Sequence, residues 1–541
     1  MEKSNIQKND TRENDTREND MQESDMREND TQEMIQRAYR DFDEFFTATR
    51  QYRERCAANE AFWRGDHWRG YGAREADAPE PVTPVLFSTL ESVLADMMDN
   101  YPEAVLIGEE PGDDALAGEL TQIVRFILKR RGYRETFRRK CRGALKKGAS
   151  ALQVFWNDAL LDGMGDVDIR ELDIRSLLWD PAFEDIQDGR ACIQHSFYPR
   201  EWFGRHYPKA LDEMKGDGYR RERFGGETPL DGGAEDILLM DYWFREPDEE
   251  GVTRVHMLRI AGGALLEDSR RTRPQGMYAH GRYPFIVEAL YPIEGQPVGF
   301  GLIDALKNMQ MYADRMDQII LKNIQMSASP KMMISRSADI DEEALTDWSR
   351  EVVRAGRIDE NAVRWFQAAP LNPYAMAHHR GKLDAIKEQS GQNQFNRGET
   401  MGGVTAASAI VALQEAGNKR SRMLIEQMND GFERMVRMIV ELVAENYTEP
   451  RRVRVRGEGT DNMLQFDGSA WGERGPLDFD ISVNVQKQTP QRTLYQNELA
   501  LQLLQAGVIE REDALGMMTF PGKDAVMARA ARGAPQREME R

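Results

Sequence analysis

Residues 302–328, LIDALKNMQMYADRMDQIILKNIQMSA, preceded by Pro297-Val298-Gly299-Phe300-Gly301, decide how the rest of the chain is read. Leu302, Leu306, Met309, Ala313, Met316, Ile320 and Ile324 recur at steps of three and four, the signature of an amphipathic helix. Lys307, Gln310, Asp314, Gln318 and Lys322 fall mainly elsewhere and predict a wet side, and Pro330 ends the helix soon after Met326. At a rise of ~1.5 Å per residue the helix spans roughly 40 Å. Lys331 to Ser335 then reads as extended. Asp341-Glu342-Glu343 places negative charge at a helix start, with Ala344 to Ala355 continuing helically until Gly356. Ala362 to Gln367 reads as a strand, and a second helix runs from about Tyr374 to Asn396.

Arg397-Gly398-Glu399-Thr400-Met401-Gly402-Gly403 has three glycines in seven positions and predicts a pliable loop. Thr405 is a suitable N-cap for one long helix carried by Ile410, Leu413, Leu424, Met428, Phe432, Met435, Ile439 and Leu442 to about Asn446, roughly 60 Å. Gly417 and Gly431 lie inside it, each costing about 1 kcal/mol relative to alanine, so one of them marks a kink or a close neighbour. Helix, insert, helix, loop, long helix is an order that suits the wall of a ring better than an enzyme pocket.

Outward from this segment, helices are expected from Ile35 to about Gly65, Val85 to Asp99, Asp113 to Arg131 and Arg134 to Lys147, with a strand at Ala104 to Gly108. Arg138, Arg139, Lys140, Arg142, Lys146 and Lys147 read first as a solvated or intersubunit helix face, and second as a contact with DNA. Residues 150–295 alternate short strands and turns, while Arg452 to Arg456 and Asp478 to Val485 alternate at period two and look like strands returning to that region. Leu494 to Leu504 and Glu510 to Met517 are helical, and the end from Arg529 frays.

Residues 9–33 are five acidic pentads, starting at Asn9, Asn14, Asn19, Ser24 and Asn29. Five Asp, five Glu and three Arg leave a net charge of −7 there, with almost nothing apolar to bury, so disorder is expected over residues 1–34. No run of about 18 apolar residues predicts a membrane span, and the polar N-terminus does not resemble a secretory signal. Cys56, Cys141 and Cys192 are few and widely spaced, which predicts buried free thiols.

Several stretches together resemble the portal proteins of tailed bacteriophages, most closely the short-tailed phage type. They are Tyr283-Pro284-Phe285; Gly299-Phe300-Gly301 with Gln310 after it; and Gly402-Gly403-Val404-Thr405-Ala406-Ala407-Ser408-Ala409-Ile410. Upstream, Gly143 to Ser150 followed by Val154-Phe155-Trp156, and Leu178-Trp179-Asp180-Pro181 before Phe183, are similar to the family's wing. The likeness runs in order over roughly residues 35–530, and its specificity lies in the succession of parts. It implies an α+β portal-type fold. The parts would be a disordered tail (1–34), an α+β wing (35–300), a first stem helix (301–328), a small α/β clip (329–371) and a second stem helix (372–396). A tunnel loop (397–404), a long spine helix (405–447), wing return strands (448–489), crown helices (490–530) and a frayed C-terminus (531–541) would follow.

The resemblance further implies a ring of twelve copies at one capsid vertex, a channel for genome packaging and ejection. Implied partners are double-stranded DNA in transit, the terminase large subunit, a head-completion or tail adaptor, and the major capsid and scaffolding proteins. The ring would belong to the virion and assemble in the host cytoplasm, with no membrane partner and no cofactor. Twelve helices about 10 Å wide make a circle about 120 Å around, leaving a bore of roughly 28 Å. Channel contact falls first to Arg397, Glu399, Thr400 and Met401, then to Lys307, Lys322, Lys382 and Lys387; Trp348, Arg350, Arg354, Arg357 and Trp365 are the clip's candidate partner contacts.

Composition leaves this reading open. A formal charge of −20 argues against tight nucleic-acid binding, yet a conduit in which phosphates must slide has no need of strong cationic contacts. No nucleotide loop, HExxH pair or nucleophile elbow is present, so the chain is not expected to be an enzyme. Gly299-x-Gly301 reads as a turn and His378-His379 as polar helix surface. Another head-to-tail adaptor or scaffold-like virion protein is the nearest alternative, and a nuclease or polymerase-like enzyme of a mobile element a more distant one.

Overall fold

The structure is a computed structural model describing residues 29–69, 78–108, 114–214, 236–248, 250–328, 331–347, 349–357, 363–366, 369, 371–391, 419–448, 451–457, 460–466, 479–484, 490–518, 520 and 523. It is an α+β protein with two compact units. The first comprises Met1–Ala58, Leu94–Gly301 and Lys419–Arg541; the second comprises Asn59–Val93 and Leu302–Asn418. Asn59–Val93, expected to belong with the rest of residues 35–300, thus groups with Leu302–Asn418.

A five-stranded antiparallel sheet organises the first unit. It runs in the order β4 (Leu177–Trp179), β5 (Ala191–Pro199), β6 (Asp236–Pro247), β7 (Thr253–Ala261), β8 (Ala264–Asp268). Period-two alternation gives the sheet two apolar faces. Helix α1 (29–48) lays Ile35, Ala38, Phe42 and Phe45 on Ile193, Leu238, Met240, Tyr242 and Leu258; Phe203 of α6 (Arg200–His206) packs with Ile237, Leu239 and Ala261. The first helix begins at Asn29, inside the fifth pentad and earlier than expected. Met34 and Ile35 are buried, and Asp30 pairs with Arg270 at 3.0 Å, so this repeat is held by contacts its composition does not advertise.

A second, three-stranded sheet, β3 (Asp166–Leu172), β2 (Ala149–Asn157), β9 (Phe285–Ala289), supports the long helix α11 (Lys419–Asn446). Leu424, Met428, Phe432, Met435, Ile439 and Leu442 are all buried, as their spacing predicts; residues 405–418 of the expected helix lie outside the described residues. Gly431 marks the close neighbour. A Cβ there would sit 1.7 Å from Glu288 Oε1. Glu288 on β9 is paired at 2.5 Å with Lys140 of α5 (Tyr133–Lys147), both essentially without exposure. Burial pushes the Glu288 carboxyl above its usual range even with Lys140 beside it. The expectation of a solvated basic face on α5 is therefore wrong at Lys140, which turns inward, and at Lys146, also buried. Exposed Arg138 and Arg139 keep the expected placement.

At the C-terminal end of α5, Gly148 adopts φ 82°, and a Cβ on it would lie 2.4 Å from the Gly299 carbonyl. Gly299 and Phe300 form β11 (Gly299–Phe300) against β10 (Tyr291–Pro292), so the Gly-x-Gly is a backbone crossing, consistent with the turn reading. Strand β1 (Glu103–Gly108) pairs with β16 (Phe479–Asn484), the expected return of the chain after the long helix. β14 (Arg451–Gly457) instead pairs with β15 (Thr460–Phe466), a strand that sequence reading missed. Cys56, Cys141 and Cys192 are buried free thiols. No helix among the described residues is long and apolar enough to cross a membrane.

Candidate functional site

The second unit is built on α8 (Leu302–Ala328), with α10 (Pro373–Gln389) packed along it. Leu302, Leu306 and Ala313 are buried as the apolar spacing predicts, and Ile303 joins them; Met309, Met316 and Ile320 are only half-buried, and Ile324, expected on the same face, is exposed. The polar side departs from expectation, because Gln310 and Asp314 are fully buried. Gln310 Oε1 accepts from Leu86 N at 3.1 Å, and its Nε2 donates to the Thr83 carbonyl at 2.7 Å and to Asp314 Oδ1 at 2.9 Å. Asp314 Oδ2 meets His67 Nδ1 at 2.6 Å, and the His67 ring stacks on Phe62 at 4.0 Å. One turn on, Asp317 accepts from Thr83 Oγ1 at 2.8 Å and pairs with His379 Nε2 at 3.0 Å. His379 is accordingly buried, not on a wet surface.

These groups form a continuous polar bolt between α8 and the segment 59–93, in which a buried acceptor is stable only because donors converge on it. Gln310, Asp314 and Asp317 fall at i, i+4 and i+7, so the signal was present as a polar stripe at helical spacing. Its residue types pointed to solvent.

Beyond the bolt the pattern inverts. Ile319, Leu321, Ile324 and Met326, in the last turns of α8, are exposed, as are Tyr374 and Met376 on α10. α10 starts at Asn372, whose side chain accepts from Tyr374 N, and stops at Ser390, with Gly391 at φ 84°; it is shorter than the expected helix to Asn396. Residues 392–396 lie outside the described residues.

The insert between the two helices holds a hairpin of β12 (Lys331–Ile334) and β13 (Val363–Phe366), which bears out the extended and strand readings. Helix α9 (Glu342–Thr346) has Asp341 as its N-cap, accepting from Ala344 N at 3.1 Å, so the acidic run is a helix start. It does not continue to Ala355. Asp347 captures Ser349 N at 3.0 Å and Ser349 Oγ at 2.6 Å, a local turn that competes with the next helical hydrogen bond.

Of the candidate clip contacts, Trp365 is 60% exposed and Arg350 pairs with Asp347 at 3.3 Å and Asp341 at 3.7 Å. Arg354 and Arg357 are exposed on the strand-like return, where the Arg354 carbonyl accepts from Asp341 N. Trp348 lies outside the described residues.

Among the candidate channel lysines, Lys307 donates to Asn59 Oδ1 at 3.1 Å beside Asp304, which engages it in the unit's own packing. Lys382 sits 5.8 Å over the Tyr312 ring, and Lys387 is 3.8 Å from Asp384. Lys322 is exposed near the end of α8. Arg397, Glu399, Thr400 and Met401 lie outside the described residues.

Comparison with known families matches residues 39–541 to the family described as Phage P22-like portal protein. Comparison with individually curated proteins gives none.

Proposed function

The chain belongs to the phage P22-like portal protein family, and from that premise we propose that its second unit forms the wall of a DNA channel. As a portal protein it is a phage head-to-tail connector and a virion component, and its family implies an oligomeric ring.

In the proposed ring, twelve copies close so that the ends of α8 and α10 pack against those of neighbouring subunits. The observation that carries this is the apolar end of α8, exposed in a single chain although its polar middle is buried. Burying the exposed half of one such isoleucine is worth roughly 1 kcal/mol, and a ring collects that gain at every interface.

The glycine-rich loop bearing Arg397, Glu399, Thr400 and Met401 is the proposed constriction, with Lys307, Lys322, Lys382 and Lys387 the secondary stem contacts. Transport is steric and electrostatic, because an acidic lumen with scattered cations lets phosphates slide. ATP hydrolysis belongs to the terminase. The insert from 329 to 371 is the docking platform for that terminase and later for the tail adaptor, through Arg350, Arg354, Arg357, Trp365 and Trp348. Capsid and scaffolding proteins are the remaining proposed partners, and assembly takes place in the host cytoplasm.

Shortening residues 397–403 tests the loop's role. Genome packaging or retention should fail while rings still form; full packaging by the shortened protein would remove the role.

A further inference from the structure

The first unit carries a surface that channel formation leaves unused. Helix α4 (Asp114–Arg130) meets α5 around a cavity of about 370 Å³, whose lining includes Tyr101, Glu103, Arg125, Lys129, Tyr133 and Arg134. Arg125, Lys129 and Arg134 line it and are exposed, and Arg130, Arg138 and Arg139 are exposed elsewhere on α4 and α5, while Glu103 and Glu135 answer only Arg125 and Arg138. Among the described residues neither Lys129 nor Arg134 has an ion-pair partner. Gly132, the N-cap of α5, also lines the cavity and brings no capping side chain, which adds the positive end of a helix. Tyr101 packs on the buried Tyr133 ring at 6.2 Å and lines the cavity with Pro102, Ala104 and Leu128, so a cationic rim surrounds an apolar, partly aromatic lining.

A second observation indicates what fits such a site. In the fifth pentad, Asp30 accepts from Arg270 at 3.0 Å and Thr31 Oγ1 accepts from Arg271 at 2.8 Å. One repeat therefore engages two adjacent arginines through its aspartate and the residue after it. The third and fourth pentads keep the aspartate, as Asp20 and Asp25, but follow it with Met21 and Met26. Carboxylate beside thioether is the chemistry that a cationic rim and an apolar, partly aromatic cavity would take together.

We propose that the cavity between α4 and α5 is a docking site for the acidic pentads Asn19 to Glu28 of this chain. The aspartate meets Lys129 and Arg134 on the rim, and the methionine packs on the apolar lining beside Tyr101, Pro102 and Leu128. Nucleic acid is the other polyanion a basic surface can attract; the pentads fit better because phosphate makes no use of an apolar-lined cavity, and because a pentad on adjacent arginines is directly seen.

The test uses the full-length protein with p-benzoylphenylalanine in place of Met26. Irradiation should give crosslinks, within or between chains, that map to Tyr101–Arg134. Their yield should fall roughly tenfold at about 0.5 M salt, as screening requires. A similar fall is expected with Lys129→Glu plus Arg134→Glu, and with Asp20→Asn plus Asp25→Asn, the second pair altering only the tail and leaving the folded units untouched. Crosslinks mapping elsewhere, or a yield indifferent to both pairs, would overturn the proposal. So would duplex DNA protecting Tyr101–Arg134 when no tail crosslink forms there.

Discussion

Gly431 decides how closely the long helix can approach its sheet. Alanine there should gain about 1 kcal/mol of helix propensity, but its methyl would displace Glu288 from Lys140, and breaking a buried pair costs several times that. Gly431→Ala should therefore lower unfolding stability by about 2–4 kcal/mol in urea melts. Gly118→Ala on α4, with open space around its Cβ position, should raise it by up to about 1 kcal/mol. Equal effects would contradict the notch. Protonation is the other residue-scale lever. Burial lowers His195 from 6.5 to about 3 and His280 to about 4, so both are neutral in the folded chain near pH 7. Depressed pKa values mean that the unfolded chain binds more protons below pH 6.5, so this stability is present above that pH and lost as pH falls toward 3–4. For His195 the loss is on the order of 3–5 kcal/mol by pH 3. Stability measured against pH should fall across that window, and His195→Gln should remove about one proton from the uptake on unfolding at pH 4.5.

At the scale of elements, α8 behaves as two helices in series. Its first half is bolted by Gln310 and Asp314, and its end is apolar and open. Asp314→Ala should cost about 3 kcal/mol, since it strands donors on Gln310, Thr83 and His67, and a loss below about 1 kcal/mol in denaturant melts would show the bolt to be slack. This is also where reading from sequence reached its limit. The length of α8 and the burial of Leu302, Leu306 and Ala313 on its first half, the N-cap at Asp341 and the strand at Val363–Phe366 follow from local spacing and charge, which a single segment carries within itself. Gln310 and Lys140 looked wet because polarity alone cannot tell solvent from a converging partner. Those partners, Thr83 and Glu288, are more than a hundred residues away in the chain. The early stop of α9 turns on one Asp347–Ser349 contact, below the resolution of periodicity. The loop at Arg397 and the residue Trp348 were legible as candidates and lie outside the described residues.

For the whole molecule, membership of the portal family sets the functional class, and the exposed apolar end of α8 is the feature that calls for neighbouring copies. Ile319→Ser with Ile324→Ser should leave the stability of the single chain within about 0.5 kcal/mol, because both side chains are about half exposed, while weakening assembly. The most direct test of the central claim is the native mass of the purified assembly, read together with end-on images. A mass of about twelve times the 62.0 kDa chain, with a central hole and radial symmetry, is the predicted result. A particle that remains a single chain at high concentration would contradict it.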